Sequence, residues 1–491
     1  MSVFSRVLRE YFLSRCRRIE RAANRAVEIQ YRTLETLCRQ GAKTLFGRMY
    51  DLSHLRTPEQ FAACVDRFDY SSFESFITRM RRAERNVCVP GVVSMFARSS
   101  GSSTSRSKYL PVTDRYMREN HLRGMADVVS LYLLSHPSSK LLEGKTLTLG
   151  GSCCREEGAL VGDLSALALH AAGRMASVVR APKMRIALME NFAAKCDAIA
   201  QQCATEHITA LAGVPSWNMA MLRRVLEYTG KSTVRELWPD MELFMHGGVK
   251  FAPYRESFAQ IIGGPIAYVE SYNASEGFIA IAERVDSDQM LLMPDYGCYY
   301  EFAIGEYVVP LEGVEADKEY SVLMTTASGL WRYELGDVVR FTSVNPYRLR
   351  IVGRTRQFIN AFGEELMLSN VEQALSRASF VTGAVVAEYT VAPIFMASTG
   401  RGFHRWVVEF AQAPTTMERF QMELDTALRD VNSDYDAKRR SVMLAAEVIV
   451  VPPGTFLRWQ MKHSRRKIPR LRADDSVSRQ VVQCSEERKM V

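Results

Sequence analysis

Apolar residues at helical spacing open the chain. Phe4, Val7, Leu8, Tyr11 and Phe12 recur three or four positions apart, and the first ~90 residues are predicted to be helical. Thr57-Pro58-Glu59-Gln60 reads as a helix start, with an N-cap threonine, proline at the first helical position and glutamine three residues after the cap. The texture changes at Lys145. KTLTLGGS alternates like a strand that ends in a glycine turn, and GDLSALALHAAGRMASVV, from Gly162, reads as a buried helix. Strand followed by helix predicts an α/β layer architecture. From residue 243 to 355 the segments LFMHGG, AYVESYNASEGFIAIAE, QMLLMP, YYEFAIG, EYSVLMTT, DVVRFTS and RLRIVG carry β-branched and aromatic residues, and Gly, Pro, Asp or Asn separates most of them. After Gly353, GAVVAEYTV, HRWVVEFA and LAAEVIVV read as strands. Thr415-Thr416-Met417-Glu418 reads as a capping box that opens a helix with Phe420, Leu424, Leu428 and Val431 on one face. The predicted fold is α/β. A large N-terminal domain, residues 1–355, has β-sheets layered with helices plus a β-rich subdomain, and residues 356–491 form a small, mobile α+β C-terminal domain.

Composition narrows the class. At 491 residues the chain is too long for one ordinary core. Its 47% hydrophobic and 24% charged residues exclude a fibrous or disordered protein. The formal charge is +8, from 63 basic and 55 acidic residues. The basic residues are spread, with denser runs at the N-terminus and from Arg465 to Arg472. Two solvated surfaces, or an affinity for polyanions such as nucleotide phosphates, account for those runs. The spread argues against a nucleic-acid partner. Ten cysteines without a C-x-x-C pair argue against a disulfide framework or a zinc site, so a reduced, cytoplasmic chain is expected. No run reaches the roughly 18 apolar residues of a membrane span, and no membrane partner is expected.

Five segments could carry chemistry. SSGSSTSRSK, from Ser99 to Lys108, follows a predicted strand, VVSMFAR. Its hydroxyls and backbone N–H groups suit phosphate oxygens, and Lys108 adds a point charge, although the segment is not the ordinary nucleotide-binding P-loop. A plain serine-rich surface loop has the same composition. Tyr272-Asn273-Ala274-Ser275-Glu276-Gly277 interrupts a strand pattern with a small-residue turn. There a glutamate can hold magnesium and a tyrosine can face a nucleobase, or the segment is an ordinary hairpin turn. Thr325 to Asp337 ends in a Gly336-Asp337 turn whose aspartate can accept two ribose hydroxyls, or is a β-turn aspartate and nothing more. Gly353 to Asn360 suits a hinge or a connecting loop. Lys467, in KIPRL, is a lysine able to swing onto a reacting phosphate, or part of a charged tail.

In this order the segments resemble the plant auxin-conjugating acyl acid amido synthetases, and more closely the bacterial members of that family. They resemble the firefly-luciferase-like adenylate-forming superfamily more distantly. The likeness runs from about Thr57 to Arg472, through SSGSS, GGS at Gly150, GDLSA at Gly162, GVPSW at Gly213, HGGV at His246, YNASEGF, GLWRYELGDVVRF and GRTRQFINAFGEEL. The resemblance implies that Ser99, Ser100, Gly101, Ser102 and Ser103 line the triphosphate of ATP with Lys108 nearby. It implies that Tyr272 faces adenine, Ser275 sits by the phosphates, Glu276 holds magnesium and Asp337 binds the ribose. Arg354 would lie near the nucleotide at the hinge, and Lys467 would be the C-terminal lysine that approaches the adenylate. Lys108, Glu276 and Lys467 are the expected catalytic set. Trp217 and His246 are candidate walls of an acyl pocket, each weighed against a core tryptophan and a turn histidine. The sequence departs from the family at Ser102, Thr104 and Ser105, and in HSRR before Lys467, where glycine-rich stretches are usual.

The expected activity is ATP-dependent activation of a small carboxylic acid to an acyl-adenylate, then transfer to an amine, such as that of an amino acid. The alternatives are a thiol acceptor such as coenzyme A and a nucleotide-binding homologue without turnover. The sequence leaves the acid, the amine and the oligomeric state open.

Overall fold

The protein is described from a computed structural model, which covers residues 3–99, 108–173, 178–249, 251, 254–354, 358–396, 401–463 and 468–486. The helical opening forms as expected. Val3–Asn24 and Ala26–Gly41 are helices, and Thr57 and Gln60 make a reciprocal capping box that starts Pro58–Cys64. Arg15 on the first helix donates to Asp127 at 2.7 Å, which ties it to helix Arg123–Ser135. Gln30 on the second helix is 2% exposed and bonds three strand-region backbone groups, Pro294 O, Cys298 O and Tyr300 N. A buried amide whose partners are all main chain fixes helix against sheet, because moving either leaves polar groups unpaired.

The main sheet has twelve strands. Its antiparallel half runs in the order Tyr307–Pro310, Cys298–Ile304, Glu319–Thr326, Tyr333–Val344, Tyr347–Arg354, Met290–Leu292, Phe278–Ala282 and Ala267–Asn273. From Ala267–Asn273 the pairing turns parallel, through Leu243–His246, Ile208–Ala212, Lys145–Thr148 and Arg180–Ala181. Helices Phe192–Cys203 and Pro215–Thr229 contribute to the apolar core of the parallel half. A four-stranded sheet holds Lys108–Val112, Met95–Ser99, Ala159–Gly162 and Cys153–Glu156. Toward the C-terminus, Val385–Met396, Arg401–Gln412 and Glu447–Val451 form a three-stranded sheet, which shares one core with helices Leu368–Thr382 and Met417–Val431. The fold is thus mixed α/β with a small α+β portion at its C-terminal end.

Three local readings are corrected. The helix expected from Gly162 is Leu164–Ala171, and Gly162 ends a strand whose ladder to Met95–Ser99 claims its backbone. Thr415 does not cap a helix. Helix Met417–Val431 has Thr416 at its N-cap without a side-chain bond, and the Thr415 hydroxyl donates to Thr382 O instead. Gly336-Asp337 is not a turn that ends a segment. It lies within strand Tyr333–Val344, where a bulge shifts the register between Ser321–Val338 and Leu323–Glu334.

All ten cysteines are free thiols. Among the described residues no helix is long and apolar enough to cross a membrane.

The GLWRY motif joins the helical opening to the sheet. The Trp331 indole donates to Cys88 O at 3.0 Å and stacks on Phe46. Arg332, 4% exposed, pairs with Glu301 at 2.9 Å and donates to Ala62 O and Val65 O. Removing one partner leaves the other charge buried and alone. Arg332→Ala is therefore expected to cost about 3–5 kcal/mol of stability. Arg332→Met with Glu301→Leu is expected to cost less than the single change, as read from urea unfolding midpoints.

Candidate functional site

Strand Ala267–Asn273 is the switch between the antiparallel and parallel halves of the main sheet. The C-terminal ends of the parallel strands lead into Gly150-Gly151-Ser152, Gly213-Val214-Pro215, His246-Gly247-Gly248 and Tyr272 to Glu276. In open α/β sheets that edge, beside a topological switch, is where ligands bind.

The turn after this strand is tight. Ala274 and Gly277 bond each other's backbone, which leaves Ser275 and Glu276 at the tip, both half-buried. Gly277 is required by close approach, since a Cβ there would collide with the Tyr116 hydroxyl. That hydroxyl donates to Glu276 O at 2.9 Å. Asn120 clamps the next residue, accepting from Phe278 N and donating to Phe278 O.

Tyr272 and Asp337 lie 65 residues apart and meet. The Tyr272 hydroxyl donates to Asp337 Oδ2 at 2.7 Å, and both residues are 4% exposed. Their strands are separated by Tyr347–Arg354, Met290–Leu292 and Phe278–Ala282. At about 4.8 Å per strand, a flat sheet would hold them about 19 Å apart. The sheet is therefore curled, and the bulges along Tyr333–Val344 provide the bend. Gly336, at φ +84°, sits in the bulge beside Asp337. A bulge re-aims the side chain that follows it. Asp337 also pairs across the ladder with Arg354, so the proposed hinge begins opposite the ribose candidate.

The two strands that flank the serine-rich segment, Met95–Ser99 and Lys108–Val112, pair antiparallel. Ser99 pairs with Lys108 as the last described rung, and Ser100, Gly101, Ser102 and Ser103 lie outside the described residues. Lys108 Nζ lies 5.6 Å from the Tyr70 ring centroid. The second of these strands leads to Thr113, whose N–H donates to the Ser328 hydroxyl at 2.9 Å. The start of the helix that follows strand Lys108–Val112, the Ser275-Glu276 turn and the Thr325–Asp337 segment are thus mutually bonded, through Thr113–Ser328, Tyr116–Glu276 and Tyr272–Asp337.

The remaining candidates stand apart from these three bonds or lie outside the described residues. His246 packs inside an aromatic cluster, stacked on Phe251 at 4.3 Å. Trp217 is half-buried under the Lys438 ammonium at 4.2 Å, next to Phe192, where it meets the C-terminal core. The Ser216 hydroxyl donates to Phe362 O, and Tyr254 donates to Ala361 O, across the same contact. The backbone of Arg354 ends its strand, its side chain lies outside the described set, and so does all of Lys467.

Tyr116, Asn120 and His121, which bond or face this turn, were not singled out by sequence reasoning. The available signal was a polar Asn-His pair within the apolar spacing of a helix.

Magnesium suits this donor set. Among the described residues no group of three or more His, Cys, Asp or Glu could hold a metal ion by itself. Magnesium needs no such cage: one or two carboxylates with water and phosphate oxygens suffice, and Glu276 at the turn tip is such a carboxylate.

Burial holds His121 down at about 4, and burial reinforced by Arg255 holds His246 at about 3. Unfolded histidine titrates near 6.5, so between these values the unfolded chain binds more protons than the folded one. Stability is complete above about pH 6.5 and falls as the pH drops toward 4. At pH 5 each histidine is expected to remove about 2 kcal/mol relative to pH 7. His246→Phe should abolish one such share in denaturant titrations at the two pH values.

The comparisons agree with this architecture. Residues 15–157 and 154–266 match the GH3 family N-terminal domain, 291–354 the GH3 family central domain and 369–471 the GH3 family C-terminal domain. An Arabidopsis thaliana indole-3-acetic acid-amido synthetase, GH3.10, is 25% identical over 45% of this chain and 42% of its own length. A probable indole-3-acetic acid-amido synthetase, GH3.9, from Oryza sativa subsp. japonica is 28% identical over 45% of this chain and 56% of its own. The matched part of the chain thus spans about half the length of these curated relatives. The solved AtGH3.15 acyl acid amido synthetase in complex with 2,4-DB superposes with a TM-score of 0.63 at 17% identity, covering 97% of this chain and 96% of that one. A 2-hydroxyisobutyryl-CoA ligase superposes with a TM-score of 0.62 at 16% identity, over 95% and 93%. The N-terminal, central and C-terminal domains of one family match along most of the chain, which therefore belongs to the GH3 family.

Proposed function

We propose that this protein activates a small carboxylic acid with ATP and transfers the acyl group to the amine of an amino acid. The observation that carries the reading is the Tyr272–Asp337 hydrogen bond. It brings a nucleobase-sized aromatic onto a ribose-competent carboxylate, at the end of the strand that leads into the Ser275-Glu276 turn. The names of the relatives support the amide product.

A carboxylate is a poor acyl donor because oxide is a poor leaving group. In the first step the acid's oxygen attacks the α-phosphorus of ATP, the bond to the bridging oxygen breaks, and pyrophosphate leaves with its electron pair. Positioning and charge neutralisation dominate such a displacement. Ser99 to Ser103 and Lys108 bind the triphosphate, Tyr272 packs beside adenine, and Asp337 accepts from the ribose hydroxyls. Glu276 and the phosphate oxygens would hold magnesium, which supplies neutralisation of the polyphosphate. In the second step the amine attacks the acyl carbon, loses a proton, and AMP departs. Trp217 and His246 form walls of the acyl pocket. Residues 356–491 act as a small domain that turns about 353–360, bringing Arg354 and Lys467 toward the nucleotide and excluding water from the adenylate.

The test is pyrophosphate release against a panel of carboxylic acids, with amino acids or coenzyme A as acceptor. Formation of an amide, and of no thioester, is expected. Glu276→Ala is expected to lower turnover about 100-fold, and full activity in that variant would remove the metal role. Asp337→Ala is expected to raise the KM for ATP about tenfold while leaving the KM for the acid nearly unchanged. Equal KM values for ATP would sink the ribose assignment.

A further inference from the structure

The helical run from Asp114 to Ser135 contains one wide π-turn, Met117–Leu122. In a regular α-helix Tyr116 and Asn120 share a face, and the next residue is rotated about 100° away from it. The extra residue of the wide turn lets both Asn120 and His121 point inward, and both are 0% exposed. Such turns weaken the backbone ladder and recur at functional sites.

The wide turn fastens the hairpin that carries Ser275 and Glu276. Tyr116 bonds Glu276 O, Asn120 bonds both backbone groups of Phe278, and His121 Nδ1 lies 3.3 Å from Asn273 Oδ1. The His121 ring also meets Tyr116 edge-on at 5.5 Å. Among the described residues the buried His121 Nε2 has no hydrogen-bond partner. An apolar side chain would fill this space without leaving a polar atom unpaired, so packing gives no reason for an imidazole here. Among the described residues the polar interaction of the imidazole is directed at Asn273, three residues before Glu276. Burial keeps it neutral at physiological pH.

We infer that His121 is a positioning residue for the proposed reaction: through Asn273 it sets the direction in which the Ser275-Glu276 tip presents itself to the magnesium-bound phosphates. With its proton on Nδ1 the imidazole donates to Asn273 Oδ1 and restrains that side chain at the strand end. The tip follows directly, and its backbone is already held by Tyr116. This inference rests on the nucleotide reading above and adds a residue to it.

The test reads ATP binding by titration calorimetry, in magnesium and in EDTA, on the full chain. The quantity compared is the tightening of Kd that magnesium produces. His121→Phe keeps the ring and removes the hydrogen bond. His121→Asn places an amide nitrogen near the former Nδ1. Asn273→Ala removes the other partner and serves if the Phe variant does not fold. His121→Phe and Asn273→Ala are each expected to reduce the magnesium-dependent tightening about tenfold, with affinity in EDTA unchanged. His121→Asn is expected to restore most of it. Tightening retained in both the Phe and the Ala variants overturns the inference. So does an Asn variant no better than the Phe variant, which would make the ring a packing element. Absence of ATP binding by the unaltered protein overturns the nucleotide reading itself, and this inference with it.

Discussion

A single side-chain hydrogen bond between strands that are not neighbours sets the shape of this molecule around its candidate site. Tyr272 and Asp337 are separated by three intervening strands, yet their side chains touch in a buried setting. A flat sheet cannot bring them together. The bulges in Tyr333–Val344 and the short central strand Met290–Leu292 permit a curl, and the pair closes it. A buried phenol facing a buried carboxylate is costly to separate, because each would lose its partner in a place water does not reach.

Around that closure the site is built from polar side chains that bond to main chain. Tyr116 holds Glu276, Asn120 holds Phe278, Ser328 holds Thr113, and Arg332 holds the carbonyls of Ala62 and Val65. Such contacts fix backbone position without depending on the neighbour's side chain. They rigidify a turn while leaving its tip residues to face a ligand, which is what a site that works by positioning requires.

Much of the element pattern was legible in the chain. The capping box at Thr57 formed because its partners are local, and most strands between 243 and 355 appeared where β-branched residues cluster. Local rules failed where a distant partner competed. Thr415 was drawn to Thr382, and Gly336-Asp337 was absorbed into a ladder as a bulge. Tyr272, Glu276 and Asp337 could be singled out from composition and resemblance, whereas His121 could not, since an Asn-His pair at helical spacing does not by itself tell an imidazole that faces a turn from one that only fills a core.

By itself the sequence determined the local vocabulary: which stretches are helix or strand, where the glycine turns fall, and which motifs resemble those of the GH3 family. Periodicity and turn chemistry act over a few residues, so they can be read without a fold. Only the tertiary structure decided that the sheet switches from antiparallel to parallel at Ala267–Asn273, that Tyr272 reaches Asp337, and that a wide helical turn grips the Glu276 hairpin. Those arrangements come from pairing register, sheet curl and the need to satisfy buried polar groups. These forces act between residues far apart in the chain.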